Sequence, residues 1–444
     1  MLYRADEMND ALPLPGDARY LKAGLPSGRQ LTDPQVVERV SAMLLEIERD
    51  GMDAVRRFSQ QLDGWSPERF AATRRELDAA RDAVDAGVRE RLQLGHERVK
   101  AFAELQLTSV GDIERELSPG LFVGHRHVPV GRVGAYLPAG HRPLMASAFM
   151  TVLVPKVAGV RRVLAATPPK NAGPGHPAML YTADLCGADA IYSLGGVQAV
   201  AAMAFGLEGE EPVDMIVGAG NAYVTEAKRQ LFGRVGIDLL AGPSEITVIA
   251  DDRADVELVA ADLLGQAEHG PTSPSVLICL SEEFGRRVID EAERQLVELG
   301  DETARKAWTE YGSVIVAADR EEAAQVADAI APEHLEVHAD EERWWLDRLR
   351  NYGSLFLGSL TTVAFSDKGT TGTNHVLPTG RAARYSGGLS ALRFLKTLTY
   401  QRISDPEASR PLAEAVAQIS AAEGLPAHGA TATRRLERLA AVAR

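Results

Sequence analysis

The stretch DLLGQAEHGP, Asp262 to Pro271, ends an apolar helix on groups that want partners. Leu263 and Leu264 read as core, yet the last turn carries Gln266, Glu268 and His269 before a Gly-Pro stop. Gln266 and His269 are three apart and project from one face, so an amide oxygen and an imidazole nitrogen can converge on one object, such as a metal ion. The same residues also read as a solvated last turn, with His269 near the negative end of the helix dipole. On these residues alone both readings stay open.

Three other segments carry groups capable of chemistry. IAPEHLEV (Ile330 to Val337) sets Glu333 beside His334, a carboxylate to handle a water and an imidazole that titrates near neutrality; as an ordinary Glu-His at a helix end the pair would be inert. FSDKGTTGTNHVLPTG (Phe365 to Gly380) is a loop dense in hydrogen-bonding groups and holds Asp367, Lys368 and His375. AAEGLPAHGA adds Glu423 and His428. Of ten histidines, His269, His334, His375 and His428 lie in such polar, glycine-rich settings, while His125 and His127 in GHRHVP read as an exposed strand edge.

These groups need a scaffold. Residues 31–118 are helical in character, and from Val133 short apolar runs such as RVLAATPP, MIVGAGN, ITVIADD and SVIVAAD alternate with helices. That alternation predicts parallel strands joined by crossover helices, an α/β architecture with ligands at the carboxyl ends of the strands. VGAGNAYVTEAKRQ (Val217 to Gln230) follows a strand and opens a helix, a setting for phosphate at the helix amino end, but Tyr223 stands where a dinucleotide fingerprint has its third glycine. GGVQAVAAMAFG repeats the strand, glycine turn, helix arrangement. Two such turns suit a large ligand crossing several strand ends, and tight turns in any α/β protein look the same.

Composition narrows the class. The 444 residues are 45% hydrophobic and 25% charged with a formal net charge of -14, which argues against nucleic acid or an anionic membrane as partner. No stretch is long enough to span a bilayer and the amino terminus is acidic where a signal peptide is basic, so a cytoplasmic enzyme is expected. The only two cysteines, Cys186 and Cys279, sit in apolar runs, so a metal here takes nitrogen and oxygen ligands.

GAYLPAG, GGVQAVAA, GNAYVTEAKRQ, AGPSE, DLLGQAEHGP, APEHL, GTNHVLPT and EGLPAH occur in this order between about Leu121 and His428. Together they resemble the histidinol dehydrogenase family. The resemblance implies two related, incomplete Rossmann-like units, similar to aldehyde dehydrogenases, with helical terminal extensions. It places an N-terminal extension at 1–25, a discontinuous zinc and catalytic domain at 26–132 and 243–385, an inserted NAD-contacting domain at 133–242, and a C-terminal helical extension at 386–444.

By the same resemblance, zinc is held by Gln266, His269, an Asp at or near Asp367, and His428. Glu333 and His334 match the acid/base pair, Tyr136, Gln198 and Asn221 the NAD contacts, and Ser244, His375 and Glu423 the residues facing substrate. A homodimer is implied in which Glu423 and His428 reach the partner's site. Two departures stand out: GAGN has Ala219 for a turn proline, and the Asp367-to-His375 loop is one residue longer than the family pattern.

The implied reaction takes a small primary alcohol through its aldehyde to a carboxylic acid with two NAD. SDKGTTGTNH, ARYSGGLSALRFLKTLTYQ, LFGRVGIDLLAGP and HRPLMASAFM look more like the paralogous sulfopropanediol 3-dehydrogenases, whereas AGPSE and APEHL follow the histidinol enzymes. Lys368, next to Asp367, would pair with an anionic diol such as 2,3-dihydroxypropane-1-sulfonate and oppose the cationic L-histidinol; turned to solvent, it would merely balance Asp367. Two rival classes are a cysteine-dependent aldehyde dehydrogenase using Cys186 or Cys279, and a non-catalytic zinc-containing small-molecule-binding protein.

Overall fold

The computed structural model describes residues 13–25, 33–139 and 142–442. Residues 1–12 and 26–32, with part of the expected N-terminal extension and its boundary, lie outside the described residues. The chain forms two compact units, one from residues up to 105 and from 130–393, the other from 106–129 and 394–444.

The larger unit is α/β, built on two sheets. In the six-stranded sheet the order is Arg19–Lys22, Ser313–Val316, Ser275–Cys279, Ile246–Ala250, His334–His338, Ser354–Leu357. All neighbours are parallel except Arg19–Lys22, which closes one edge antiparallel to Ser313–Val316. The five-stranded sheet is wholly parallel, ordered Gly236–Ile237, Met215–Val217, Arg132–Tyr136, Arg162–Thr167, Ala190–Ser193. Central strands such as ITVIA are buried at every residue, because crossover helices cover both faces and continuous apolar runs satisfy them.

The first helices, Pro34–Asp50 and Met52–Asp63, dock on the five-stranded half. Val36, Val40, Met43 and Ile47 share one core with Val197, Val200, Val224 and Ala227. Asp33 caps the first of them through Gln35 N–H at 2.9 Å, with Pro34 at its first position.

Three local expectations are corrected. The helical run ends at Leu107, and Ile113–Ser118 is a strand, exposed throughout, whose Glu- and Arg-rich sequence favours helix until pairing with Leu121–Pro129 overrides it. His125 and His127 therefore lie on the middle strand of a three-stranded sheet, half-buried, and not on an edge. The C-terminal extension is not helical throughout: Leu395–Ile403 pairs antiparallel with Leu121–Pro129 before helices Ser409–Ala422 and Pro426–Val442. No helix among the described residues is long and apolar enough to cross a membrane.

The glycine turn after Met215–Val217 is held by a buried ion pair. Lys228 and Asp238, 2% and 1% exposed, bond each other. Lys228 Nζ also donates to Gly218 O at 2.8 Å, and Asp238 accepts from Gly218 N–H at 2.6 Å. Gly218 has φ +110°, and a Cβ there would lie 2.1 Å from the Tyr136 carbonyl oxygen, so only glycine fits. Asp238→Ala strands the Lys228 charge and should cost about 3–5 kcal/mol in urea unfolding followed by fluorescence. A loss of only about 0–1 kcal/mol, the range of an exposed pair, would contradict this role.

Candidate active site

Side chains alternate along a strand, so His334, Glu336 and His338 share one face of His334–His338. Helix Val256–Ala267 and the turn after it present Asp262, Gln266 and His269 at helical spacing on one side. The two rows face each other: His338 meets Asp262 at one end, and His334 and His269 both approach Asp367 at the other.

This placement reverses one expectation. His334 opens its strand, paired with Ile246 at the start of the neighbouring one, so the Glu333/His334 pair sits at the amino ends of the six-stranded sheet. The reason is direction. Helix Val256–Ala267 runs back from the end of Ile246–Ala250 and delivers its carboxyl end there.

The pair is deeply buried. His334 is 2% exposed and Glu333 5%. His334 Nδ1 lies 3.0 Å from the Glu245 carbonyl oxygen, which can only accept, so Nδ1 carries the proton and Nε2 the lone pair. Nε2 has no hydrogen-bond partner and stands 4.0 Å from Asp367 Oδ1. Burial lowers the His334 pKa and favours the neutral ring. Glu333 accepts from the Glu245 N–H at 3.0 Å, and Ser244 also bonds its carboxyl. Burial pushes the Glu333 carboxyl well above the ordinary range, and the nearby Glu245 and Asp367 charges push the same way.

Glu245 was not foreseen as a site residue, although AGPSE was in view. Its burial, invisible in sequence, raises it to about 7. Its Oε1 accepts from Gly380 N–H at 3.0 Å, and Gly242 N–H donates to Thr379 Oγ1 at 2.6 Å. The AGPSE turn is thereby tied to the NHVLPTG loop.

Asp367 ends the short helix Val363–Asp367, and despite the longer loop its Oδ2 stands 3.3 Å from His269 Nε2. Burial acts to raise its pKa, but the His269 hydrogen bond and the surrounding imidazoles outweigh it and the net shift is downward. Gln266, 2% exposed, has neither amide oxygen nor nitrogen partnered, and the two ring nitrogens of His375 are likewise unpartnered. Burial lowers His375, and the exposed Lys368 is a minor contribution in the same sense. Orphaned buried ligating atoms on Gln266, beside a His269–Asp367 pair at 3.3 Å, fit a zinc ion with oxygen and imidazole donors.

The expected NAD contacts lie in the five-stranded half. Tyr136 ends its strand and its hydroxyl accepts from Gly196 N–H at 3.1 Å. Gln198 is buried and donates to Asp63 at 2.9 Å, a partner that sequence reading did not identify. Asn221 is exposed and caps helix Ala222–Leu231 through Tyr223 and Val224 N–H groups, both at 3.1 Å. Glu423 and His428 belong to the smaller unit, and both are exposed there.

Both cysteines are buried and free. Burial raises the Cys186 thiol well above its usual value and Cys279 to about 11, which removes the thiolate a thiohemiacetal route needs.

A parallel α/β fold around a buried carboxyl and imidazole, with orphaned ligating atoms beside them, defines an enzyme of acid–base chemistry. The histidinol dehydrogenase family profile matches residues 27–436. A histidinol dehydrogenase homolog of Shouchella clausii (strain KSM-K16) is 48% identical over 425 residues, 95% of this chain and 99% of the relative. The sulfopropanediol 3-dehydrogenase of Ruegeria pomeroyi is 42% identical over 421 residues, 94% of this chain and 96% of that protein. The crystal structure of histidinol dehydrogenase from Elizabethkingia anophelis matches with a TM-score of 0.84 at 31% identity, over 90% of this chain and 92% of that one. The chain belongs to the histidinol dehydrogenase family and is an NAD-dependent dehydrogenase.

Alkylation of the folded enzyme with iodoacetamide, and the variants Cys186→Ala and Cys279→Ala, should leave most of the rate of NADH formation. Loss by orders of magnitude in either variant, with the fold intact, would restore a thiol mechanism.

Proposed function

We propose that the chain oxidises a small primary alcohol through its aldehyde to a carboxylic acid, consuming two NAD and one water per turnover. In this reading zinc is held by Gln266, His269 and Asp367, with His428 supplied by a second copy of the chain. The same second copy would bring Glu423 to the substrate. The observation that carries the reading is the state of His334: Nδ1 committed to a backbone carbonyl, Nε2 unpartnered, in a buried setting that keeps the ring neutral.

His334 Nε2 accepts the hydroxyl proton as hydride leaves the same carbon for the nicotinamide. Glu333, more basic than an ordinary carboxylate once ionised, takes a proton from the water that adds to the aldehyde. His334 returns its proton to the carbonyl oxygen as that water adds, which frees Nε2 to accept the hydrate's hydroxyl proton as a second hydride leaves; two electrons pass in each hydride step. When bound, zinc would supply charge and a fixed point of attachment for the substrate's polar groups. In this reading Ser244 and His375 would contact the substrate, and Tyr136, Gln198 and Asn221 would contact NAD.

The substrate class favoured is a small anionic diol such as 2,3-dihydroxypropane-1-sulfonate. Support comes from Lys368, which directly follows Asp367, and from the likeness to the Ruegeria pomeroyi enzyme. A second reading, L-histidinol, is supported by the likeness to the Elizabethkingia anophelis enzyme.

His334→Ala should slow NADH formation by roughly 10²–10⁴-fold, the cost of a lost general base. A rate within a few-fold of wild type would remove His334 from the mechanism. Lys368→Met should raise KM for the sulfonated diol several-fold and leave kcat nearly unchanged, because a charge contact away from the reacting carbon contributes uniform binding. Efficient oxidation of L-histidinol, untouched by Lys368→Met, would transfer the assignment to the second reading.

A further inference from the structure

The helix–strand face that carries Gln266 and His334 continues to a second cluster that the reaction above does not use. Asp262 lies one turn before Gln266 on its helix, and Glu336 and His338 follow His334 along its strand. His338 Nε2 stands 3.3 Å from Asp262 Oδ2 and 3.4 Å from Glu336 Oε2. One ligand atom from each residue lies within 4.8 Å of the others. The side chains of His338 and Glu336 are each 1% exposed, and that of Asp262 is 15% exposed. Glu336 Oε1 accepts from Val363 N–H at 2.7 Å, whereas Glu336 Oε2 and His338 Nε2 have only the long contacts within the cluster and no well-aligned hydrogen bond, and His338 Nδ1 has no partner.

We propose that Asp262, Glu336 and His338 form a second, structural site for a divalent cation of the zinc class, separate from the one that Gln266, His269 and Asp367 would hold. Spacing is the first argument. Ligands about 2.0–2.1 Å from a tetrahedral zinc lie about 3.3–3.4 Å from one another, whereas a direct charge-assisted hydrogen bond would draw nitrogen and oxygen to about 2.7–2.9 Å. The two His338 contacts have the wider spacing, as does the His269–Asp367 pair at 3.3 Å, and the third edge, Asp262 to Glu336, lies within 4.8 Å.

Charge is the second argument. Two carboxylates beside a neutral imidazole bury two negative charges, which a divalent ion balances and a proton on His338 only halves. Without an ion the groups must share protons: burial raises Glu336 to about 7, and the two carboxylates overcome the effect of burial on His338 and raise it to about 9. Mixed carboxylate and imidazole donors suit zinc, and the partly exposed Asp262 leaves a side open for ion entry and a bound water.

The site has a structural consequence. An ion there clamps helix Val256–Ala267 to strand His334–His338, and Glu336 Oε1 ties the clamp to the first residue of helix Val363–Asp367. All three segments that present Gln266, His334 and Asp367 are thereby braced from behind.

The test is zinc stoichiometry of the full-length protein, stripped with chelator, reloaded with Zn²⁺ alone and freed of excess. Wild type should bind two equivalents per chain, and Glu336→Gln, which keeps the acceptor for Val363 N–H, should bind one. Gln266→Ala with His269→Ala should also retain one, so failure of the catalytic zinc reading removes the other equivalent and leaves this one standing. An equal zinc content in wild type and folded Glu336→Gln would overturn the proposal. Where Glu336→Gln does not fold, zinc-edge anomalous scattering from wild-type crystals decides: a peak at bonding distance from His338 Nε2 is expected, and none there overturns it.

Discussion

The carbonyl oxygen of Glu245 is the fixed point of this active site. It accepts from the His334 main-chain N–H at 3.3 Å, the ladder bond that registers two parallel strands, and from the His334 ring at 3.0 Å. Sheet register and ring orientation are set by one atom. A slip of one residue would turn His334, Glu336 and His338 to the opposite face and dismantle both clusters together. The adjacent Glu245 N–H fixes the Glu333 carboxyl from the same peptide segment, with the Ser244 side chain as a second contact.

Holding so many polar groups out of water is expensive, and the site spreads the penalty. Gln266, His334 and His375 keep buried ligating atoms without protein partners, an arrangement that destabilises an empty pocket and rewards whatever fills it. Glu333 and Glu245 respond to the same pressure by holding their protons far more tightly than exposed carboxyls. The apolar parallel strands behind them supply the rigid wall that makes this tolerable.

Much of this was legible in the sequence. The α/β alternation survives as two parallel sheets, and the QAEH, PEH and SDKG segments, far apart in the chain, do meet around Asp367. What could not be read depends on tertiary placement. That the pair sits at the amino ends of its strands follows from where a crossover helix returns, which periodicity does not encode. Glu245 looked like any acidic turn residue because burial alone distinguishes it, and Gln198 finds Asp63 from 135 residues away. Ile113–Ser118 has helix-forming composition and becomes a strand only because Leu121–Pro129 offers an edge.

The central claim is that His334 is a neutral base whose lone pair sits on Nε2. Neutron diffraction from crystals of the full chain, exchanged into heavy water, locates that proton directly. Deuterium on Nδ1, aimed at the Glu245 carbonyl, with none on Nε2, is the result expected. Deuterium on Nε2 with a bare Nδ1 would contradict the account, because the imidazole would then have no lone pair facing the site.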